Sequence, residues 1–523
     1  MIFRHGEGFA NVESRLSPNG DTLYCVASCT KAFTTATCIA LEREEKLSWK
    51  EPISRYVPDF NPVNDPEIGR RATLLDLSSH TTGLAPVDHS VMGFHDEYYN
   101  KGSDQVRIAS HLPVCYDFRS HWLYNNCMLG VVGEVISAVC KQSTGTVLKE
   151  RIFEPLGMTR TCTSNAEYPD QNVAKGYSVL DDGSLLSLGD PLLEDGDIQG
   201  AAGFVRSSVN DMLTWAKAIM VTENQERGMR SLEIGSELGD HPLRGISLAR
   251  CAHRPITLEN GPGENAYGLG WFRHTLPSSW LGSIGPNFAL LKDPPIIGRK
   301  SKPRLAVSHY GEFQGFLAAF YTFPETCSAV IVLANTSPSR GDPTDLIAQA
   351  LIQELFDMQP RVALENYALQ ARRASDMIWP ALVESWVSNR VQNTPRRPPL
   401  EYVGRYENPG FMLVIDVYEL PDSEKGKGSN PEVLGFTVNS IKRQSAKLRH
   451  YHYDVFTFLP DSRDDALRKG MEGYMALPLL LLSFLRGACG KVCGLEWDLQ
   501  AGICEGPAPG LEKIVHPIRF KRV

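Results

Sequence analysis

The sequence predicts an α/β (α+β) architecture, an antiparallel sheet flanked by helices, followed by a small, mostly β C-terminal domain. Three observations carry that prediction. CVASCTKAFTTATCIAL at 25–41 is apolar on almost every face from Ala32 onward, as a buried helix must be. FLAAFYTF (316–323) and AVIVLAN (329–335) flank a short Pro-Glu-Thr-Cys turn and read as a hairpin of antiparallel strands. Past the Pro-rich TPRRPPL at 394–400, the pattern changes to short alternating runs such as YVGRYEN, FMLVIDVYEL and HYDVFTFLP. With 523 residues the chain is too long for one ordinary core, so we expect a first unit over 1–385, a linker over 386–400 and a β-rich unit over 401–523.

Along the chain, IFRHGEGFANVE reads as an opening strand before a Pro-Asn-Gly turn at 18–20. The buried helix from Ser28 should end near Lys46. A second apolar helix, WLYNNCMLGVVGEVISAVCKQ, covers 122–142 and is followed by a break at Phe153–Met158. A third starts near Ser208, which with Asp211 has capping-box spacing. Residues 222–263 and 277–303, rich in Gly, Pro and charge, read as excursions or lids. YGLGWF (267–272) and LAVSHYG (305–311) are further strand signals, a helix over 343–356 closes the block, and 360–390 is helical or irregular. There are no internal repeats.

Bulk properties exclude several classes. A net charge of -8 with no long basic run gives no reason to expect nucleic acid. The longest apolar run, MALPLLLLSFL at 475–485, is too short to span a bilayer and is interrupted by Pro478, so it reads as core and no membrane partner is expected. MIFRHGEGFANVE lacks the apolar region of a signal peptide. Twelve scattered cysteines suggest no disulfide framework, and cytoplasmic, reducing surroundings are the expectation. Cys489, Cys493 and Cys504 lack zinc-like spacing, so no metal is expected there.

The chemistry begins with Ser28 and Lys31. At i and i+3 they share one helix face, and Ser28 sits where unsatisfied N–H groups and the helix dipole favour developing negative charge. A lysine held against an apolar helix is desolvated, which lowers its pKa toward that of a usable base. A hydroxyl, an adjacent base and oxyanion donors are what acyl transfer needs. Taken alone, an S-x-x-K recurs by chance in a chain of this length, and such a lysine can snorkel to solvent. Tyr124-Asn125-Asn126, at the head of the second helix, adds a phenol able to shuttle protons and an amide able to hold a lysine and a substrate carbonyl, or else simply a helix cap. Ser308-His309-Tyr310-Gly311 ends a strand, where Gly311 lets a substrate approach the backbone and His309 offers a donor.

S-x-x-K, Y-x-N and H-x-G in this order resemble the serine β-lactamase and penicillin-binding-protein superfamily. The likeness is strongest to its class C-like branch of β-lactamases, D-aminopeptidases, esterases and a lovastatin-pathway-type acyltransferase. LLDLSSHTTGL (74–84), FEPLGM (153–158), AAGFVRSSVNDML (201–213) and YGLGWF resemble that branch as well. The likeness covers roughly residues 1–356, and EYVGRYENPG resembles the start of a lipocalin-like domain. It implies a β-lactamase-like catalytic domain with an all-helical subdomain over about 75–200. It also implies Ser28 as nucleophile, Lys31 and Tyr124 as base and relay, and Asn126 as the group orienting lysine and substrate. The oxyanion hole would be the backbone N–H groups of Ser28 and Glu312, with His309 and Gly311 lining the substrate. His80 would be a structural loop residue, and no cofactor is implied.

Departures from the family refine this. His309 stands where β-lactamases have a lysine, and Glu312 adds a negative charge beside it, so a β-lactam carboxylate should be poorly received. Family members usually carry a helix and a further strand before the point where this chain begins, so a sheet edge would be bare unless another segment covers it. The expected function is acyl-serine hydrolysis or acyl transfer on an ester, thioester or amide of a small metabolite, for which secondary metabolism is a fitting setting. Transfer would call for a dry acceptor pocket and a carrier-bound acyl donor. The alternatives are a D-amino-acid-type peptidase, with Glu312 meeting a substrate ammonium, and a non-catalytic scaffold.

Overall fold

The computed structural model describes residues 3–228, 240–256, 265–426, 433–500 and 516–523. Its central sheet has six antiparallel strands in the order Ser328–Ala334, Phe316–Phe323, Arg304–Phe313, Phe272–Leu276, Asn265–Tyr267, Arg254–Pro255. Gln314 and Gly315 join the two longest strands with φ of 42° and 78°. A two-residue hairpin loop with both φ positive matches the right-handed twist of its strands. Ser328–Ala334 forms one edge of this sheet.

Helix Thr30–Arg43 is the buried helix expected, entered through a 3₁₀ turn at Ala27–Cys29. Twelve of its residues, Thr30 to Leu41, are buried, which accounts for its nearly uniform apolar character. Helix Asn126–Cys140 packs against it within the helical layer, and helices Val209–Glu226 and Pro343–Leu355 pack on the sheet. Ser208 caps its helix by accepting from the Asp211 N–H at 3.2 Å. The capping box is only half formed, because the Asp211 carboxylate accepts from Arg160 N and Thr161 Oγ1, both at 2.8 Å.

Residues 404–522 close an eight-stranded antiparallel barrel, with Tyr406 and Glu407 of its first strand pairing Arg522 and Lys521 of its last. Tyr406, Phe436, Phe458, Phe484 and Trp497 are buried, with ring centroids 5.1–5.8 Å apart in the Phe436, Phe458 and Trp497 cluster. An eight-stranded barrel is just wide enough for such filling. Leu479, Leu480, Leu482 and Phe484, from the apolar run at 475–485, belong to this core.

The barrel is fastened to the first unit by more than its linker. Gln444 clamps the loop at 94–97, accepting from Phe94 N at 2.7 Å and donating to Phe94 O at 2.9 Å. Arg463 donates to Asp181 at 2.8 Å and to Ser339 O at 3.0 Å, and the Tyr99 and Tyr474 hydroxyls lie 3.0 Å apart. One continuous buried cluster runs through both units.

Several expectations are corrected. From residue 3 the opening segment is not a strand. Its ladder contact is a single bridge, Asn11 with Leu16, which closes a local turn instead of joining the sheet. The helix read as 122–142 begins at Asn126, and helix Ile378–Ser388 runs into the linker read as 386–400. YGLGWF is not one strand. It turns after Tyr267, and Gly270, at φ 76°, passes so near the first helix that a Cβ would lie 2.8 Å from Lys31 O.

The segments read as lids are largely structural. Residues 222–226 continue a helix, and Leu243, Ile246, Ala249 and Arg250 are buried; 229–239 and 257–264 lie outside the described residues. Residues 277–303 pack against helix Pro343–Leu355, where Gln349 donates to Leu281 O and Leu281 and Ile297 join its core. Ten of the described cysteines are free and Cys115 is disulfide-bonded; Cys504 lies outside the described residues. Among the described residues no helix is long and apolar enough to cross a membrane, and no group of three metal-ligating side chains is found.

A buried ion pair accounts for part of the misreading at 222–263. Arg250 and Glu223 are both fully buried and 2.7 Å apart; Arg250 also donates to Thr322 Oγ1 and lies 4.5 Å over the Trp271 ring. Breaking such a pair leaves a buried charge uncompensated, at a cost of about 3–5 kcal/mol. Glu223→Gln should therefore lower unfolding stability by about that amount in urea melts. A change within about 0.5 kcal/mol would show that Arg250 is not held by Glu223.

Candidate active site

Two short strands, Tyr24–Cys25 and Arg206–Ser207, pair and bring the segment Ala201–Val205 against the first helix. Val26 N donates to Val205 O at 3.0 Å, Val205 N to Thr30 Oγ1 at 3.0 Å, and Thr34 Oγ1 to Ala201 O at 2.7 Å. Ala27, just before the serine, has φ 43°, a strained conformation for a residue with a side chain. This turn presents Ser28, partly exposed, at the N-terminal end of a 14-residue helix.

Lys31 is fully buried, and its Nζ donates to Ser28 Oγ at 2.9 Å and to Ala202 O at 3.0 Å. Burial pushes its pKa down to about 7, against the opposing pull of Asp88 and Cys29. Its amine lies 4.8 Å from the centre of the Tyr124 ring. The Tyr124 hydroxyl is buried without a hydrogen-bond partner, and burial raises its pKa well above the ordinary phenol, an effect that nearby Ser28 works against.

Asn125 and Asn126 divide the labour that a Y-x-N pattern leaves ambiguous. Asn125 is the helix cap, accepting from Met128 N at 3.3 Å and anchored by Nδ2 to Leu84 O and Ala85 O. Asn126 is thereby free of capping; its Nδ2 donates to Asp88 Oδ2 at 3.1 Å and its Oδ1 is buried and unpartnered. His80 is buried with φ 58°, accepts from Asn125 N at 3.1 Å through Nδ1, and its carbonyl accepts from Leu123 N at 2.8 Å. It fastens the segment carrying Tyr124, 4.5 Å from that ring.

Strand Arg304–Phe313 forms the opposite wall. A Cβ on Gly311 would lie 2.2 Å from Val26 O, so only glycine lets this strand meet the segment before Ser28. His309 is buried, and burial beside Lys31 pushes its pKa down to about 3, so the ring is neutral. Its Nδ1 lies 2.6 Å from Tyr310 O and must donate there; Nε2 is then the acceptor toward the Tyr267 hydroxyl at 3.3 Å. The ring proton that sequence reading offered to a substrate is thus given to the strand's own backbone.

Glu312 retains open surface but sits at the joint with the barrel, near Glu472, Asp342 and Asp96. Desolvation and these acids push its carboxyl pKa upward, in the direction of the neutral acid.

The structure thus brings Ser28, Lys31, Tyr124, Asn126, His309 and Gly311 together, with Glu312 at the edge of the group. Asp88, Gln199, Tyr267 and the Ala202 carbonyl were not found from sequence. Ala202 lies in AAGFVRSSVNDML, a stretch noticed only for its family likeness, and no local spacing marks the other three.

Helical layer, antiparallel sheet and a serine–lysine pair at the first helix are those of the serine β-lactamase and penicillin-binding-protein type of fold. Residues 1–354 match the family described as Beta-lactamase, and the chain belongs to that family of hydrolases. The unguisins hydrolase ungD of Aspergillus violaceofuscus (strain CBS 115571) is 25% identical over 447 residues, covering 79% of this chain and 71% of that protein. Protein flp of Staphylococcus aureus (strain COL) is 25% identical over 273 residues, 52% of this chain and 50% of that protein. The octameric penicillin-binding protein homologue from Pyrococcus abyssi superposes with a TM-score of 0.53 at 20% identity, covering 87% of this chain and 86% of that one, a likeness of fold.

Proposed function

We propose that the chain is an acyl-serine enzyme acting on an ester, thioester or amide of a small metabolite through an acyl-Ser28 intermediate. The observation that carries this reading is the buried Lys31 amine, 2.9 Å from Ser28 Oγ and with a pKa near 7. A base poised near the working pH is half free to accept a proton and still acidic enough to return it.

In this reading Ser28 Oγ attacks the substrate carbonyl carbon while its proton passes to neutral Lys31. The backbone N–H groups of Ser28 and Glu312 receive the oxyanion. As the tetrahedral intermediate collapses, the Lys31 proton reaches the departing alkoxide, thiolate or amine through Tyr124 Oη. Water, or an acceptor alcohol or amine, then attacks the acyl carbon and passes its proton through Tyr124 Oη to Lys31; collapse of this second intermediate breaks the acyl–Ser28 Oγ bond, and Lys31 returns the proton to Ser28 Oγ. Asn126 orients the lysine and the acyl group, and His309 and Gly311 shape the wall.

The H-x-G position supplies no cation for a β-lactam carboxylate, since His309 is neutral, so β-lactams should be poor substrates. Similarity to an unguisins hydrolase supports hydrolysis over transfer to a carrier-borne or other acceptor. We place the reaction in the cytoplasm as a working setting. The test is steady-state turnover of p-nitrophenyl acetate and butyrate beside nitrocefin and D-alanine p-nitroanilide. Ester turnover at least about tenfold above nitrocefin turnover is expected, with nitrophenol release rising as pH passes through about 7 and Lys31 becomes neutral. Faster cleavage of the D-alanine anilide would favour the peptidase, and nitrocefin turnover matching the ester would overturn the substrate class.

A further inference from the structure

Asp88 stands on a 3₁₀ turn, Asp88–Ser90, outside every motif that marks this site. Its two oxygens are used on two different elements. Oδ2 accepts from Asn126 Nδ2 at 3.1 Å, at the first residue of helix Asn126–Cys140. Oδ1 accepts from Gln199 Nε2 at 2.8 Å, at the residue that precedes the helical turn Gly200–Gly203. That turn carries Ala202, whose carbonyl accepts from Lys31.

Gln199 is itself held in place. It is buried, takes the left-handed φ of 59°, and its N–H donates to Gln105 Oε1 at 2.7 Å. Its side-chain amide also donates to Cys127 Sγ at 3.1 Å and accepts from the Tyr98 hydroxyl at 3.4 Å, so it is a fixed link between Asp88 and the turn that carries Ala202. On the other side, an amide whose nitrogen faces Asp88 must turn its oxygen away, and Asn126 Oδ1 is left buried and unpartnered, as an acceptor kept for the site.

We propose that Asp88 is the positioning residue of this site, one carboxylate whose two oxygens set the Asn126 amide and the Ala202 turn on either side of Lys31. The inference rests on the acyl-Ser28 reading for its meaning in catalysis, but its geometry and its electrostatic effect are testable without it. As a negative charge near a buried amine, Asp88 also favours the protonated form of Lys31 and so opposes desolvation. The other titratable groups around Lys31 are Cys29, Tyr124, His80 and His309; both histidines have pKa values lowered by burial and by Lys31 itself. Around Asp88 stand Tyr98 and Cys127, whose pKa values burial raises, and His89, whose pKa burial lowers.

Asp88→Asn keeps the shape, removes the charge, and can accept from only one of the two amides. With [ε-13C]lysine incorporated and the Lys31 resonance assigned by Lys31→Arg, its titration midpoint should fall by about half a unit or more in Asp88→Asn. In parallel, kcat for p-nitrophenyl butyrate should fall at least about tenfold with KM within about twofold, since positioning acts on the reacting atoms. Asp88→Glu should restore the midpoint and not the rate, because it returns the charge on a longer arm. An unchanged midpoint in Asp88→Asn, in a protein whose thermal melt is unaltered, overturns the inference whether or not the ester is turned over. A wild type that never acylates at Ser28 while the midpoint shifts sinks the acyl-enzyme reading alone.

Discussion

Lys31→Met is expected to abolish turnover, by about a thousandfold or more, and at the same time to raise the stability of the protein. The rate falls because Ser28 loses the base 2.9 Å away, and removing a member of a catalytic unit costs nearly as much as removing the whole. Stability moves the other way for an electrostatic reason. A lysine with a pKa of about 7 when folded and 10.5 when unfolded binds fewer protons in the native state between those values. Its penalty is fully present below pH 7, roughly 4 kcal/mol at pH 7, and fades as pH rises toward 10.5. Methionine removes that penalty, offset by about 1–3 kcal/mol for the partners left unsatisfied at Ser28 and Ala202. Thermal melts at pH 7 and pH 10 check this: Lys31→Met should melt above wild type at pH 7, and the gap should narrow at pH 10. A variant that keeps more than a tenth of the activity would remove Lys31 from the mechanism.

Gly311→Ala is the second large effect. The new methyl would lie 2.2 Å from Val26 O and 3.3 Å from the Ala27 Cβ, both in the segment that aims Ser28. Strand or serine must move by about an ångström, a displacement that costs on the order of a hundredfold in kcat/KM. A stability loss of about 1–3 kcal/mol should accompany it, as overpacking does elsewhere. Gly473→Ala, whose Cβ would meet nothing nearer than His89 at 3.4 Å, is the control expected to behave as wild type. Kinetics and melts of the two variants side by side check the contrast, and an active Gly311→Ala would mean that the two walls are not in close contact.

How far the sequence reveals this molecule depends on the distance over which each feature is specified. Ser28 and Lys31 lie one helical turn apart, so their spacing alone puts them together. The hairpins, the buried first helix and the alternating strands of the barrel are likewise written in local periodicity. Asp88 meets Asn126 across 38 residues and Gln199 across 111, and no spacing rule reaches that far. The opening segment has strand composition, but a strand needs a partner edge, and Asn11 finds only Leu16. YGLGWF has apolar strand-like residues, yet Gly270 must bend the chain past Lys31 O, a requirement set by the other side of the contact. Residues 222–263 look solvated because they are charged. Arg250 is nevertheless in the core, since its charge is met by Glu223, and composition does not display pairing.

Chemistry was legible in kind but not in state. A histidine in the H-x-G position is visible in the sequence; its neutrality and the commitment of its Nδ1 proton to Tyr310 O come from burial and geometry. Asn126 was read as orienting lysine and substrate; the Asp88 carboxylate that takes one of its N–H groups lies 38 residues away and is not visible from the sequence.

The most direct test of the acyl-serine account is to treat the protein with a serine-directed aryl phosphonate, digest it, and map the modified peptide by mass spectrometry. The account predicts one adduct on Ser28, lost in Ser28→Ala and strongly slowed in Lys31→Met. A protein that stays unmodified, or that carries the label on another residue while Ser28 remains free, would contradict it.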